Sequence, residues 1–204
     1  MAEFEQRLCF LAPGAPPPQP LLPASLPALR WITLPTSCVR SPGTAAQAEQ
    51  ALAWLEDALG RGVRLLVWHE PGLPPAQRAA ALAAARALAQ DYGARLLADA
   101  RSQAPGTPAA DADGFLPLEA LRAATVRPGT GWLGAAAQEA ADLARAVRLG
   151  CDFALIEAAD PLHARALCAA APLPVYIAGA LNCVALAQAR AAGAQGLAPP
   201  GLPI

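Results

Sequence analysis

The sequence predicts a small parallel α/β barrel of the (β/α)8 kind. Three observations lead there. Short apolar runs alternate with helix-forming segments along most of the chain, the order that builds a parallel sheet. The runs are apolar throughout rather than at every second position, as strands covered on both faces are. Eight such runs occur, the number that closes a barrel, and 204 residues is near the lower end of that architecture's size. The competing arrangement is an open doubly wound sheet. No GxGxxG fingerprint follows the first strand, which counts against a dinucleotide site.

Residues 1–28 are rich in proline and read as an extended leader. Residues 29–204 read as the barrel. Arg30-Trp31-Ile32-Thr33-Leu34 is the first strand, followed by a helix from about Thr44 to Leu59. Val63 to Trp68 is the second strand. A long alanine-rich helix runs from Pro74 to Tyr92; Pro74-Pro75 fits its start and Gly93 its end. Arg95 to Ala98 is the third strand, and a polar, proline-containing connection follows. Gly114-Phe115-Leu116 is a short strand, with a short helix from Pro117 to Ala124. Gly131 to Gly134 is the fifth strand, with a helix from Ala137 to Leu149 closed by Gly150. Phe153 to Ile156 is the sixth, with a helix from Asp160 to Ala171. Val175-Tyr176-Ile177 ends at Ala178-Gly179, then comes a helix, Gly193, and a last run from Gln195 to Ala198. Only Pro199 to Ile204 remain, so the eighth helix is expected to be missing. The leader or a second copy of the chain is then needed to cover the exposed apolar surface.

Composition excludes several functions. All 15 basic residues are arginine. Without a lysine, Schiff-base chemistry, covalent pyridoxal phosphate and a Walker-type phosphate loop are ruled out. A formal charge of −1 and no Arg cluster give no footprint for nucleic acid or an anionic membrane. The five cysteines are scattered, with no CxxC pair, which suits reduced, buried thiols and a cytoplasmic protein. Glu3 and Glu5 and the lack of a long apolar core exclude a secretory signal. The uncharged stretch from Ala166 to Ala189 is broken by Pro172, Pro174, Gly179 and Asn182, so it reads as helix end, strand, turn and helix start rather than a membrane span.

In a barrel the residues just after each strand form one rim, where the chemistry sits. Here they are Pro35-Thr36-Ser37, His69-Glu70, Asp99, Pro117, Ala135-Ala136, Glu157, Gly179-Ala180 and Pro199-Pro200. His69 beside Glu70 is either an acid/base pair or a polar pair fixed by local hydrogen bonds. Neighbours on a strand face opposite sides, so one of the two aims into the mouth. Asp99 and Glu157 are single rim carboxylates. Each suits Mg²⁺ together with substrate phosphate, or else a capping turn and a solvated or Arg-paired side chain. Gly179 precedes a helix and lets a phosphate approach its N–H groups, or is a plain turn. His163 lies within a helical segment and reads as a surface or capping side chain.

Five segments, in this order and spacing, resemble the thiamine phosphate synthase/TenI barrels across roughly residues 30–198. They are LLVWHEP (65–71), DYGARLLAD (91–99), ADGF (112–115), GWLGAAAQEAADLARAVRLGCDFALIE (131–157) and LPVYIAGALNCVALAQARAAGAQGLA (173–198). The resemblance implies a barrel that joins a pyrimidine pyrophosphate to a thiazole phosphate or, as in TenI, aromatises the thiazole phosphate. The implied transfer is Mg²⁺-assisted departure of pyrophosphate and attack by the thiazole nitrogen. Asp99 would hold the metal and Gly179-Ala180 the thiazole phosphate.

The chain departs from the family at several strand ends. His69 and Pro71 stand where the family has an arginine and a lysine. Ala98 precedes Asp99 in place of an asparagine. Phe115-Leu116-Pro117 lacks the usual histidine. Ala136 and Gln138 replace the serine and the TenI histidine, Glu157-Ala158 replaces Gly-Pro, Gly179-Ala180 replaces Gly-Gly, and the last phosphate loop is Pro199-Pro200. Each lost charged hydrogen bond removes about 1.5–3 kcal/mol of stabilisation from a departing pyrophosphate. The expected protein is therefore thiamine-linked, binding a small phosphorylated heterocycle with its catalytic residues largely replaced. The alternatives are a non-catalytic ligand-binding or regulatory domain, and an unrelated isomerase using His69 and Glu70.

Overall fold

A computed structural model of the chain describes residues 29–33, 45–60, 63–69, 74–100, 113–157, 160–179 and 183–198. The proline-rich leader, the tail after Ala198, Glu70 and Ala180 lie outside the described residues. The elements in order are β1 (Leu29–Thr33), α1 (Ala45–Gly60), β2 (Leu65–His69), α2 (Pro75–Asp91), β3 (Arg95–Asp99), β4 (Gly114–Leu116), α3 (Leu118–Ala123), β5 (Leu133–Ala137), α4 (Ala140–Arg148), β6 (Phe153–Glu157), α5 (Pro161–Ala170), β7 (Val175–Ala178), α6 (Cys183–Ala191) and β8 (Gly196–Ala198).

All the ladders are parallel and the strands pair in sequence order from β1 to β8. The sheet curls until β8 lies against β1. This is a TIM-barrel-like fold, as the alternating apolar runs predict. Among the described residues no helix is long and apolar enough to cross a membrane.

Both faces of the sheet are dry, for different reasons. Leu65, Val67, Leu97, Phe153, Leu155 and Tyr176 belong to one cluster that fills the interior. Leu66, Trp68, Leu96 and Ala98 alternate with them and pack outward with α1 and α2. The outward residues of β5 to β8, such as Ala154, Ile156, Val175 and Ile177, do the same with the later helices. Two covered faces explain why period-2 alternation is absent from the sequence.

Turn chemistry sets the helix ends. Pro75 starts α2, where its missing N–H costs nothing. Gly93 (φ 63°) follows it, and the amides of Gly93 and Ala94 return to the carbonyls of Gln90 and Ala89 at 2.9 and 2.8 Å. Asp160 caps α5 by accepting from the amides of Leu162 and His163. Cys151 and Cys168 are free and buried. Burial pushes their thiols up to about 12 and about 11, so neither is a nucleophile at neutral pH.

The fifth strand differs from the sequence expectation. It runs over Leu133–Ala137 rather than Gly131–Gly134. Gly131 and Trp132 are pinned below it instead. The Gly131 carbonyl accepts from Arg127 at 2.6 Å, the Trp132 amide donates to Asp113 Oδ1 at 2.7 Å, and the Arg95 guanidinium stacks on the Trp132 ring. Ala135 and Ala136 are therefore buried strand residues, not rim residues, and Gln138 takes their place at the rim.

Candidate functional site

His69 ends β2 and Asp99 ends β3. The register pairs Trp68 with Ala98, so the two residues follow as the next row of the sheet. His69 has the parity of Leu65 and Val67, and Asp99 that of Leu97. All three apolar residues belong to the interior cluster, so both polar side chains stand on the inner face at the carboxyl ends of their strands. There the Nδ1 of His69 and the Oδ2 of Asp99 meet at 2.8 Å. Asp99 has 0% of its side-chain surface exposed and His69 13%. An ionised carboxylate taken fully out of water requires such a partner.

The expected neighbours are thus rearranged. His69 turns to Asp99, thirty residues along the chain, rather than to Glu70, which lies outside the described residues. Asp99, expected as a metal ligand, has one oxygen committed to the imidazole. Mg²⁺ demands a near-octahedral set of oxygens. Among the described residues no group of three or more His, Cys, Asp or Glu side chains could hold a metal ion. The described residues fit magnesium poorly, and no chemical step is derived through it.

The other rim residues are spread around the mouth. Glu157 ends β6 with the parity of Phe153 and Leu155, and is exposed. Gly179 follows β7, half-buried, and its own amide donates to the Ala198 carbonyl at 3.0 Å. That amide is consumed in joining β7 to β8, so a phosphate there would depend on the amides that follow, at residues 180–182, outside the described residues. A Cβ at Gly179 would meet only Leu197 Cδ2, at 3.9 Å. The backbone therefore has no steric need for glycine.

Gln138 sits in the turn from β5 to α4, exposed, with its backbone fully engaged. Its amide donates to Asp142 Oδ2 at 3.0 Å, and His163 Nε2–H donates to its carbonyl at 3.3 Å. Asp142 organises this part of the rim. It also accepts from the Glu139 amide, and from Arg122 Nε and Nη2 at 2.8 and 3.0 Å. Glu139 and Asp142 together form a capping box on α4. Asp142 is not among the rim residues that strand ends point to, although an acidic residue three places after Glu139 at a helix start is the available signal.

Burial alone would raise the Asp142 carboxyl. The Arg122 hydrogen bond and the Gln138 and Glu139 amides outweigh it, and the group is held below its ordinary value of 3.8. A depressed carboxyl stabilises the fold above its unfolded value and loses that contribution as pH falls through the folded value. Asp142→Ala, which strands two rim amides, is expected to cost about 2 kcal/mol at pH 7. The gap from the parent should close as urea midpoints are followed from pH 5 down to pH 2. A pH-independent difference would show that Asp142 acts through packing alone.

The chain is thus a curled parallel barrel with an imidazole–carboxylate pair at its carboxyl-end mouth. Among solved structures the fold is similar to a thiamine phosphate pyrophosphorylase from Pyrococcus furiosus. The match has a TM-score of 0.56 and covers 83% of each chain at 14% sequence identity, a likeness of fold. No family model and no curated protein matches the sequence.

Proposed function

We propose that the chain is a thiamine phosphate synthase/TenI-like protein linked to thiamine biosynthesis, a closed (β/α)8 barrel that binds a small phosphorylated heterocycle at its carboxyl-end rim. The observation that carries this reading is the fold match over 83% of both chains, beside the five sequence segments that resemble the same family. The phosphate is assigned to the turn that Gly179 opens ahead of α6, where a helix start favours an anion. A non-catalytic, ligand-binding role is the second reading. It is favoured by the strand ends: His69, Asp99, Glu157, Ala178 and Ala198 offer no guanidinium and no ammonium to a departing pyrophosphate.

The test is isothermal titration with the thiazole phosphate and with the pyrimidine pyrophosphate, each with and without Mg²⁺, beside an assay for thiamine phosphate. Gly179→Ala should leave the thermal midpoint unchanged, because its Cβ has room. It should weaken the thiazole phosphate about tenfold, because the added methyl stands where the phosphate must approach the backbone. Equal affinity in the two proteins would remove the phosphate from this turn.

A further inference from the structure

We propose that His69 and Asp99 form a proton-transfer dyad, His69 acting on the ligand and Asp99 positioning it. The substrate class is a small carbonyl compound with a hydrogen on the carbon next to the carbonyl. From the reading above the proposal takes only that a ligand enters the mouth; it requires neither phosphate nor metal.

Geometry carries the argument. Asp99 is an acceptor when ionised, so the proton between it and the imidazole resides on Nδ1. This leaves Nε2, on the far side of the ring, with the lone pair of a base. The pair is built asymmetrically, with Asp99 wholly buried and His69 keeping the pair's exposed surface. That is the arrangement of an orienting carboxylate behind a working imidazole. A buried ion-pairing group placed only for stability would be a poor choice, since an apolar pair of similar volume does as well or better. The walls below are Val67 and Leu97, two residues down each strand, and Phe115, which pairs with Asp99 on the neighbouring strand. They keep the dielectric low, which strengthens the dyad.

The chemistry balances within one molecule. Nε2 takes the proton α to the carbonyl, and the electron pair of the broken C–H bond moves into the substrate to give an enolate. His69 becomes an imidazolium whose charge Asp99 offsets. The Nε2–H bond then breaks as the proton returns to a different atom of the enolate, and the imidazole is restored. The net result is an isomerisation by proton shift, with no oxidant, reductant or second substrate.

Two measurements test this on the full-length protein. The first is the ¹⁵N spectrum of the His69 imidazole, which is expected to show Nδ1 protonated and Nε2 bare. In Asp99→Asn the amide NH₂ faces Nδ1 and the tautomer should invert. Titration with MgCl₂ should leave the wild-type signals in place. An Nε2–H tautomer in the wild type, or displacement of these signals by magnesium, would overturn the proposal, the latter returning Asp99 to a metal.

The second is deuterium uptake from D₂O at the α-carbon of hydroxyacetone and of hydroxyacetone phosphate. Uptake is expected with wild type and to fall about 100-fold or more in His69→Gln and in Asp99→Asn, with the pH profile of Asp99→Asn displaced. Equal rates in wild type and His69→Gln for both compounds would sink the idea. So would a loss of stability in Asp99→Asn unaccompanied by any change in rate or tautomer, the mark of a merely structural pair. If both compounds exchange equally well, the dyad stands and the phosphate-binding reading fails.

Discussion

Phe153→Ala is expected to lower the unfolding free energy by about 4 kcal/mol. The Phe153 ring has no exposed surface. It stands edge-on to Tyr176 with centroids 5.6 Å apart, and 6.4 Å from Phe115. These three rings are the bulk of the barrel interior, and burial there holds the Tyr176 phenol well above its ordinary value. Removing the middle ring leaves a cavity lined by two others that strands on either side hold in place, so collapse is incomplete. Phe153→Leu, which keeps most of the volume, should cost about 1.5 kcal/mol or less. Leu162→Ala, on a side chain 75% exposed, should change stability by no more than about 0.5 kcal/mol. Guanidinium unfolding of the three variants checks the order. If Phe153→Ala falls with Leu162→Ala, the interior is not the packed core described.

How far these features are legible in the sequence depends on whether their cause is local. The end of α2 is local: Pro75 and Gly93 each dictate their own backbone, and both are where the sequence places them. The start of β5 is not local. The run Ala135–Ala137 has the propensity of a helix, and nothing adjacent says otherwise. It is a strand because Arg127, Asp113 and Arg95 fix the two residues before it, and because its backbone pairs with β4 and β6 on either side. Which face of β2 looks inward is likewise invisible in the sequence, since Leu66 and Trp68 are as apolar as Leu65 and Val67.

The candidate site divides the same way. His69 and Asp99 each stand out, because a polar residue ending an apolar run is conspicuous. Their partnership does not, because it depends on the register of two strands joined through α2. Local reading pairs His69 with the residue beside it. Neighbours along a strand point to opposite faces, so a partner from the adjacent strand is the better expectation whenever both strands end in polar residues of like parity. The donor capacity of Gly179 is also a matter of pairing: its amide looks available until β8 is placed beside β7 and the Ala198 carbonyl takes it.

Gly134→Ala is expected to cost about 3 kcal/mol, a large effect for one methyl group. A Cβ built on Gly134 falls 2.3 and 2.7 Å from Cζ and Cε2 of Phe153 and 2.9 Å from Cδ2 of Phe115. The glycine is not there for an unusual dihedral, because its φ is not positive. The penalty is steric, and rings wedged in a packed interior cannot give way cheaply. Overlap with Phe153 predicts coupling. In a Phe153→Leu background the added methyl should meet less resistance, and the double variant should be more stable than the sum of the single changes by about 1 kcal/mol or more. Additive costs would place the strain elsewhere. Gly60→Ala is the control, since its Cβ meets nothing within 4 Å at the end of α1 and should be neutral or slightly stabilising. Phe115 also links this position to the mouth, because its backbone pairs with Asp99. A shifted Phe115 ring moves the wall beneath the dyad, so Gly134→Ala should displace the His69 imidazole signals while Gly60→Ala leaves them in place.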